Sequence, residues 1–85
     1  MRIIQFTQNA LDELNEFKSI NYKLVFKILD LITDIQNDPF KGMGKPEALK
    51  GNYSGYWSRR INEEHRLIYK IENDKIIVYK CKGHY

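Results

Sequence analysis

Apolar residues recur along this chain with two periods, one helical and one alternating, and the change between them divides it into a helical part and a strand part. The opening Arg2-Ile3-Ile4-Gln5-Phe6 is rich in β-formers and reads as a short strand. Ala10, Leu11, Leu14 and Phe17 follow at helical spacing, with Asp12, Glu13 and Glu16 on the other side. Thr7 or Asn9 can cap that helix, because a side-chain oxygen satisfies an amide left without a partner in the first turn. Asn21 is a second capping candidate, ahead of a stronger apolar stripe of Val25, Ile28, Leu29, Ile32 and Ile35. This second helix must end near Asn37-Asp38, since Pro39 disfavours the helical conformation before it. The pattern predicts a helical hairpin joined by a short turn.

Residues 39–52 hold both prolines and three of the five glycines, and they read as one long loop. Such a loop in a short chain is often functional. Beyond it the period becomes two. Trp57, Arg59 and Ile61 share one face, and Tyr56, Ser58 and Arg60 the other. Asn62-Glu63-Glu64-His65 is a turn, residues 66–71 a second strand, Glu72-Asn73-Asp74 a turn, and residues 75–81 a third strand. The expected class is α+β in the order β-α-α-β-β-β, with a two-helix hairpin on one face of a mostly antiparallel sheet. The other face is expected to be free, with room for basic side chains.

Length and composition narrow the picture. Eighty-five residues make a single domain, 1–85, with a thin core that a second copy would stabilise. At 42% hydrophobic and 29% charged residues, wholesale disorder is not expected. No apolar run nears a membrane span or a signal peptide, so the expected compartment is the cytoplasm. One cysteine, Cys81, excludes a disulfide framework, and it reads as a small core residue. The net charge of +3 is unevenly spread: residues 1–40 carry four basic and six acidic side chains, residues 41–85 ten against five. Five of the six tyrosines and the tryptophan share the basic half. Cations among flat rings suit nucleic acid, where the cations neutralise phosphates and the rings stack on bases.

The candidate chemistry is sparse. Cys81, His65 and His84 do not make a metal set, which ordinarily needs three or four ligands, and no cofactor is expected. Glu47 is the lone acid in the loop, between Lys45 and Lys50, where cations favour its ionised form and suit it to act as a base. His65, at a hairpin turn, reads as exposed. Arg66 opens a strand and can hold a phosphate through its fork. His84 is of the residue type ordinarily used for proton transfer at neutral pH. Metal-free RNA cleavage needs a base for the ribose 2′-hydroxyl, an acid for the departing 5′-oxygen and cations for the phosphorane. Glu47, His84 and one of Arg59, Arg60 or Arg66 are the types required.

The stretch from Asp38 to Asn52, the stretch Ser54-Gly-Tyr-Trp-Ser-Arg-Arg-Ile-Asn-Glu-Glu-His-Arg-Leu-Ile-Tyr and the final His84-Tyr85 closely resemble the Txe/YoeB toxins of the RelE/ParE toxin–antitoxin superfamily. The likeness covers the whole length and is densest from Pro39 to Tyr69. It implies a RelE-like fold and a ribosome-dependent endoribonuclease that cuts messenger RNA in the decoding site. On this resemblance Glu47 is the general base, Arg66 the phosphate-stabilising arginine, His84 the general acid and Tyr85 the terminal aromatic. Lys45, Lys50, Arg59, Arg60 and Lys82 are RNA- or ribosome-binding positions. Lys82 and Gly83 depart from the family, which often has an arginine and a bulkier residue there. Lysine lacks the fork, and glycine is expected to loosen the tail.

The resemblance also implies partners: a YefM/Phd-type antitoxin with an acidic, partly disordered tail, the ribosome with its mRNA, and operator DNA only through the antitoxin complex. The thin core leaves room for a homodimer. Two other readings stand beside the nuclease: a ParE-like toxin that binds DNA gyrase without cleaving, and an idle module that only binds its antitoxin. Glu47 and the His84-Tyr85 ending weigh against both.

Overall fold

The computed structural model describes residues 2–84. Its elements are β1 (Ile3–Phe6), α1 (Gln8–Ile20), α2 (Tyr22–Asn37), β2 (Glu47–Ala48), β3 (Trp57–Arg60), β4 (Arg66–Glu72) and β5 (Lys75–Lys80). The class is the α+β one expected, two helices on a five-stranded sheet of order β1-β5-β4-β3-β2. Strand β1 runs parallel to β5, and every other pairing is antiparallel.

Thr7, and not Asn9, caps α1: its hydroxyl accepts from the Ala10 N–H at 3.1 Å. The same hydroxyl donates to the Tyr79 carbonyl at 2.8 Å, which ties the start of the helix to β5. Asn21 separates the helices through its backbone alone. Its N–H closes α1 on the Phe17 carbonyl at 2.8 Å, and its carbonyl opens α2 on the Leu24 N–H at 3.0 Å. Asp38 is extended, as the residue before a proline should be.

One face of the sheet carries Leu67, Tyr69, Ile76 and Val78, and the helices cover it with Ala10, Phe17, Ile28, Leu31 and Ile35. Leu29 does not belong to this layer. It is 48% exposed, whereas Leu31 is fully buried. The inward set of α2 is Ile28, Leu31, Ile32 and Ile35, one helical stripe on which residue 29 is rotated outward. Cys81 is buried in the core as expected. Its thiol is pushed up to about 12 by burial first and by Glu13 second.

The loop over 39–52 contains two elements that its composition hides: β2, antiparallel to β3, and a 3₁₀ turn at Gly51–Tyr53. The opposite sheet face is also less open than expected. Ser58 and Ile68 are buried there, and Tyr53, Tyr56 and Tyr79 cluster with ring centroids 5.3 to 6.3 Å apart. The Lys70 ammonium lies over the Tyr56 ring at 5.2 Å. Among the described residues no helix is long and apolar enough to cross a membrane.

Candidate active site

The site is built around an arginine that it does not display. Alternation puts Arg59 on the helix-covered face with Trp57 and Ile61, and the side chain is fully buried. A buried guanidinium must satisfy five N–H groups. Nε donates to the Tyr69 hydroxyl at 3.1 Å. Nη1 donates to the Asp34 carboxylate and to the Met43 carbonyl. Nη2 donates to the Asp38 carbonyl at 2.7 Å and the Lys41 carbonyl at 3.1 Å. All five are spent within the fold, so Arg59 has none left for RNA, and its assignment to the binding surface is corrected. It is the staple of the loop.

Its partners are held in turn. The Tyr69 hydroxyl donates to the Pro39 carbonyl at 2.6 Å, and burial raises its pKa above the ordinary tyrosine value. The Met43 N–H and, second, the Arg59 guanidinium hold the Asp34 carboxyl below its usual range. Gly42 passes so close that a Cβ would lie 2.0 Å from the Asp34 carboxylate oxygen. Gly44, at φ +77°, accepts from the Arg60 N–H at 2.7 Å, which pins the loop to β3. These glycines let Lys45, Pro46 and Glu47 lie along the β3 edge.

On the face away from the helices the register forms a row. Glu47 stands opposite Ser58, Ser58 opposite Ile68, and Ile68 opposite Lys80. One step along, Arg60 stands opposite Arg66. The strands of Glu47 and Arg66 are therefore about 10 Å apart, with β3 between them. Arg66 is half-buried, its Nη1 folded onto the carbonyls of Asn62 and His65 at 2.7 and 3.1 Å. Among the described residues no carboxylate pairs with Arg60 or Arg66.

Arg60 and Arg66 share a groove of about 510 Å³ with Lys45, Lys27 and a single acid, Glu63. Lys27 was not a sequence candidate. Only its place on the α2 turn beside Ile28 hints that it faces the loop. Glu47 and Lys50 line a second recess, with Ala48 and Leu49.

The C-terminal tail reaches the same face. The Arg66 N–H donates to the Gly83 carbonyl at 3.0 Å, and the Lys80 ammonium to the His84 carbonyl at 3.2 Å. His84 itself is exposed. Gly83 is not a loose joint. It sits at φ +75° with its N–H and its carbonyl both bonded. Lys82 is turned to α1, paired with Glu16, and does not join the groove. His65 is buried, against the expectation of an exposed turn residue, with its ring 5.0 Å from that of Phe17. Tyr85 lies outside the described residues. The structure thus brings Glu47, Arg60, Arg66 and the His84 segment to one face, with Lys45 and Lys50 beside them.

Comparison with known proteins agrees with this architecture. The family described as "YoeB-like toxin of bacterial type II toxin-antitoxin system" matches residues 6–85. The chain is 45% identical to Toxin YoeB of Streptomyces coelicolor over 82 residues, covering 96% of this chain and 98% of that protein. The YoeB/ParE toxin from Agrobacterium tumefaciens superposes with a TM-score of 0.93 at 39% identity, over 98% of this chain and 99% of that one. The toxin in the heterotetrameric YoeB-YefM complex from Staphylococcus aureus superposes at 0.90 with 41% identity over the full length of both. The chain belongs to the YoeB-like toxins of bacterial type II toxin–antitoxin systems.

Proposed function

We propose that this toxin is a ribosome-dependent endoribonuclease that cuts messenger RNA in the A site by metal-independent acid–base catalysis and so stops translation. The observation that carries this reading is the placement of Glu47 and the His84 tail on one sheet face, flanking the Arg60–Arg66 pair. Glu47 takes the proton of the ribose 2′-hydroxyl. The 2′-oxygen attacks the adjacent phosphorus, and the bond to the 5′-oxygen breaks. His84 protonates that oxygen, leaving a cyclic phosphate on one fragment and a 5′-hydroxyl on the other. Each proton transfer contributes about 10²–10⁴-fold. Arg66 faces the phosphorane, whose added charge a guanidinium stabilises more than it does the ground state. Tyr85 is the remaining member of the proposed catalytic set.

Lys45, Lys50 and Arg60, with Lys27, supply the phosphate-tracking charge of the groove and recess. Lys82 serves the ribosome or RNA only when it leaves Glu16. The same basic groove suits an antitoxin with an acidic tail that folds on binding, and the Staphylococcus aureus relative is found in a complex with YefM. That complex supports a YefM-type antitoxin here; operator DNA, on this proposal, is reached only through the antitoxin. A homodimer and a cytoplasmic site of action complete the reading.

Toeprinting on a programmed ribosome tests it. A new messenger-RNA end at the decoding site, absent with Glu47→Gln, is expected. Failure to cut, with supercoiling by gyrase inhibited instead, would replace the nuclease with a ParE-like mode of action.

A further inference from the structure

His65 does not line the groove and has no part in the chemistry proposed above. Its Nδ1 accepts from the Gly83 N–H at 2.8 Å. A ring nitrogen that accepts carries no proton, so the imidazole is the Nε2–H tautomer. Its Nε2 faces the Glu64 carboxylate at 3.6 Å. The residue is also held by groups outside the tail: the Asn62 side chain accepts from the His65 backbone N–H at 2.7 Å, and Phe17 packs against the imidazole.

The next residue completes a clamp. The Arg66 N–H donates to the Gly83 carbonyl at 3.0 Å, so residues 65 and 66 hold both polar groups of Gly83. Upstream, the Glu13 carboxylate of α1 accepts from the N–H groups of Cys81 at 2.8 Å and Lys82 at 3.2 Å. The tail backbone is therefore gripped from Cys81 to Gly83, and His84 follows directly, its carbonyl accepting from the Lys80 ammonium. Gly83 suits the clamp because its φ of +75° turns both groups toward residues 65 and 66, a conformation costly to any residue with a Cβ.

We propose that His65 is a positioning residue: its neutral imidazole registers the tail on β4 and so sets the place of His84 beside Arg66. The structural half of this proposal stands alone, and the catalytic half rests on the nuclease reading. A misplacement of about 1 Å costs about 10² in rate, so one hydrogen bond at the hinge of the tail is enough to matter.

Two variants separate packing from hydrogen bonding. His65→Phe keeps a ring against Phe17 and removes the acceptor. His65→Asn places a carbonyl oxygen where Nδ1 stood. Amide exchange of Gly83 should be at least about tenfold faster in His65→Phe and close to wild type in His65→Asn. On the ribosome, kcat should fall by about 10²-fold in His65→Phe with KM unchanged, and recover in His65→Asn. Unchanged Gly83 exchange in His65→Phe, or no rescue by asparagine, would overturn the clamp. A loosened Gly83 with unaltered kcat would overturn the positioning role. In the wild-type protein, ring ¹⁵N shifts must report the Nε2–H tautomer whichever variants fold, and an Nδ1–H ring defeats the proposal. Were the wild type to cut nothing, the nuclease reading would fall, while exchange and tautomer would still decide the clamp.

Discussion

The Arg59 guanidinium and the Asp34 carboxylate form an ion pair between β3 and α2, and the loop that delivers Glu47 is threaded around it. Arg59→Ala leaves the half-buried Asp34 carboxylate to the Met43 N–H and takes the guanidinium donor from three loop carbonyls. A buried acceptor left without its donor costs about 1–3 kcal/mol, so losing several takes a large share of the about 5–15 kcal/mol that holds a domain folded. Urea unfolding should show this loss directly. An unchanged midpoint would mean that the loop is held some other way. Lost activity in this variant is then a folding effect and says nothing about RNA contact.

Acid should loosen the same loop. The Met43 N–H and Arg59 hold the Asp34 carboxyl below its ordinary value of 3.8. A depressed carboxylate adds stability above the unfolded-state value, and that stability is lost as pH falls through the folded-state value. The melting temperature of the wild type should therefore drop below about pH 4 more steeply than that of Asp34→Asn. Parallel profiles would remove Asp34 from the acid transition.

The two glycines that bear on the site should behave differently when replaced. At Gly42, at φ +126°, an alanine Cβ meets the Asp34 oxygen at 2.0 Å, so either the carboxylate leaves its place beside Arg59 or the loop moves. At Gly83 nothing lies within 4 Å, and only the φ of +75° is strained. Gly83→Ala should cost about 1–2 kcal/mol, whereas Gly42→Ala should cost more and abolish cleavage as well. Chemical denaturation run beside the toeprint assay orders the two, and the reverse order would refute the close approach at residue 42.

Groove cations should be read by salt. Lys27→Ala and Arg60→Ala, each made in a Glu47→Gln background so that RNA survives, should lower the slope of log affinity against log salt by about 0.7 per lost phosphate contact. Arg59→Lys, if folded, should leave the slope alone. Lys27 is the sharper case, because only the groove implicates it. A slope unchanged in Lys27→Ala would restrict the RNA path to β3 and β4.

Much of this was legible in the residues, and the rest was hidden for physical reasons. The helices, the meander and the Thr7 cap follow from local periodicity and capping chemistry. Strand β2 does not, because two residues have no period and exist as a strand only against the β3 edge. The parallel pairing of β1 with β5 joins distant segments, which no local pattern encodes. Arg59 was misassigned although its alternation with Trp57 and Ile61 already pointed inward. Positive charge argued for the surface, and only five satisfied donors show why an arginine can stay inside. His65 reads as exposed because a turn residue is ordinarily wet, and its burial comes from Phe17 and the returning tail.

The order of strands has a consequence for the birth of the molecule. Strand β5 lies between β1 and β4, and the Thr7 hydroxyl bonds Tyr79, 72 positions later. During synthesis β1 and both helices emerge with no sheet to cover, and the seat for the tail is empty until β5 and the residues after it are made. Such long-range closure is a late event. A half-translated copy therefore has no finished groove, and under the proposed nuclease reading the ribosome that is making it is spared by the protein's own topology.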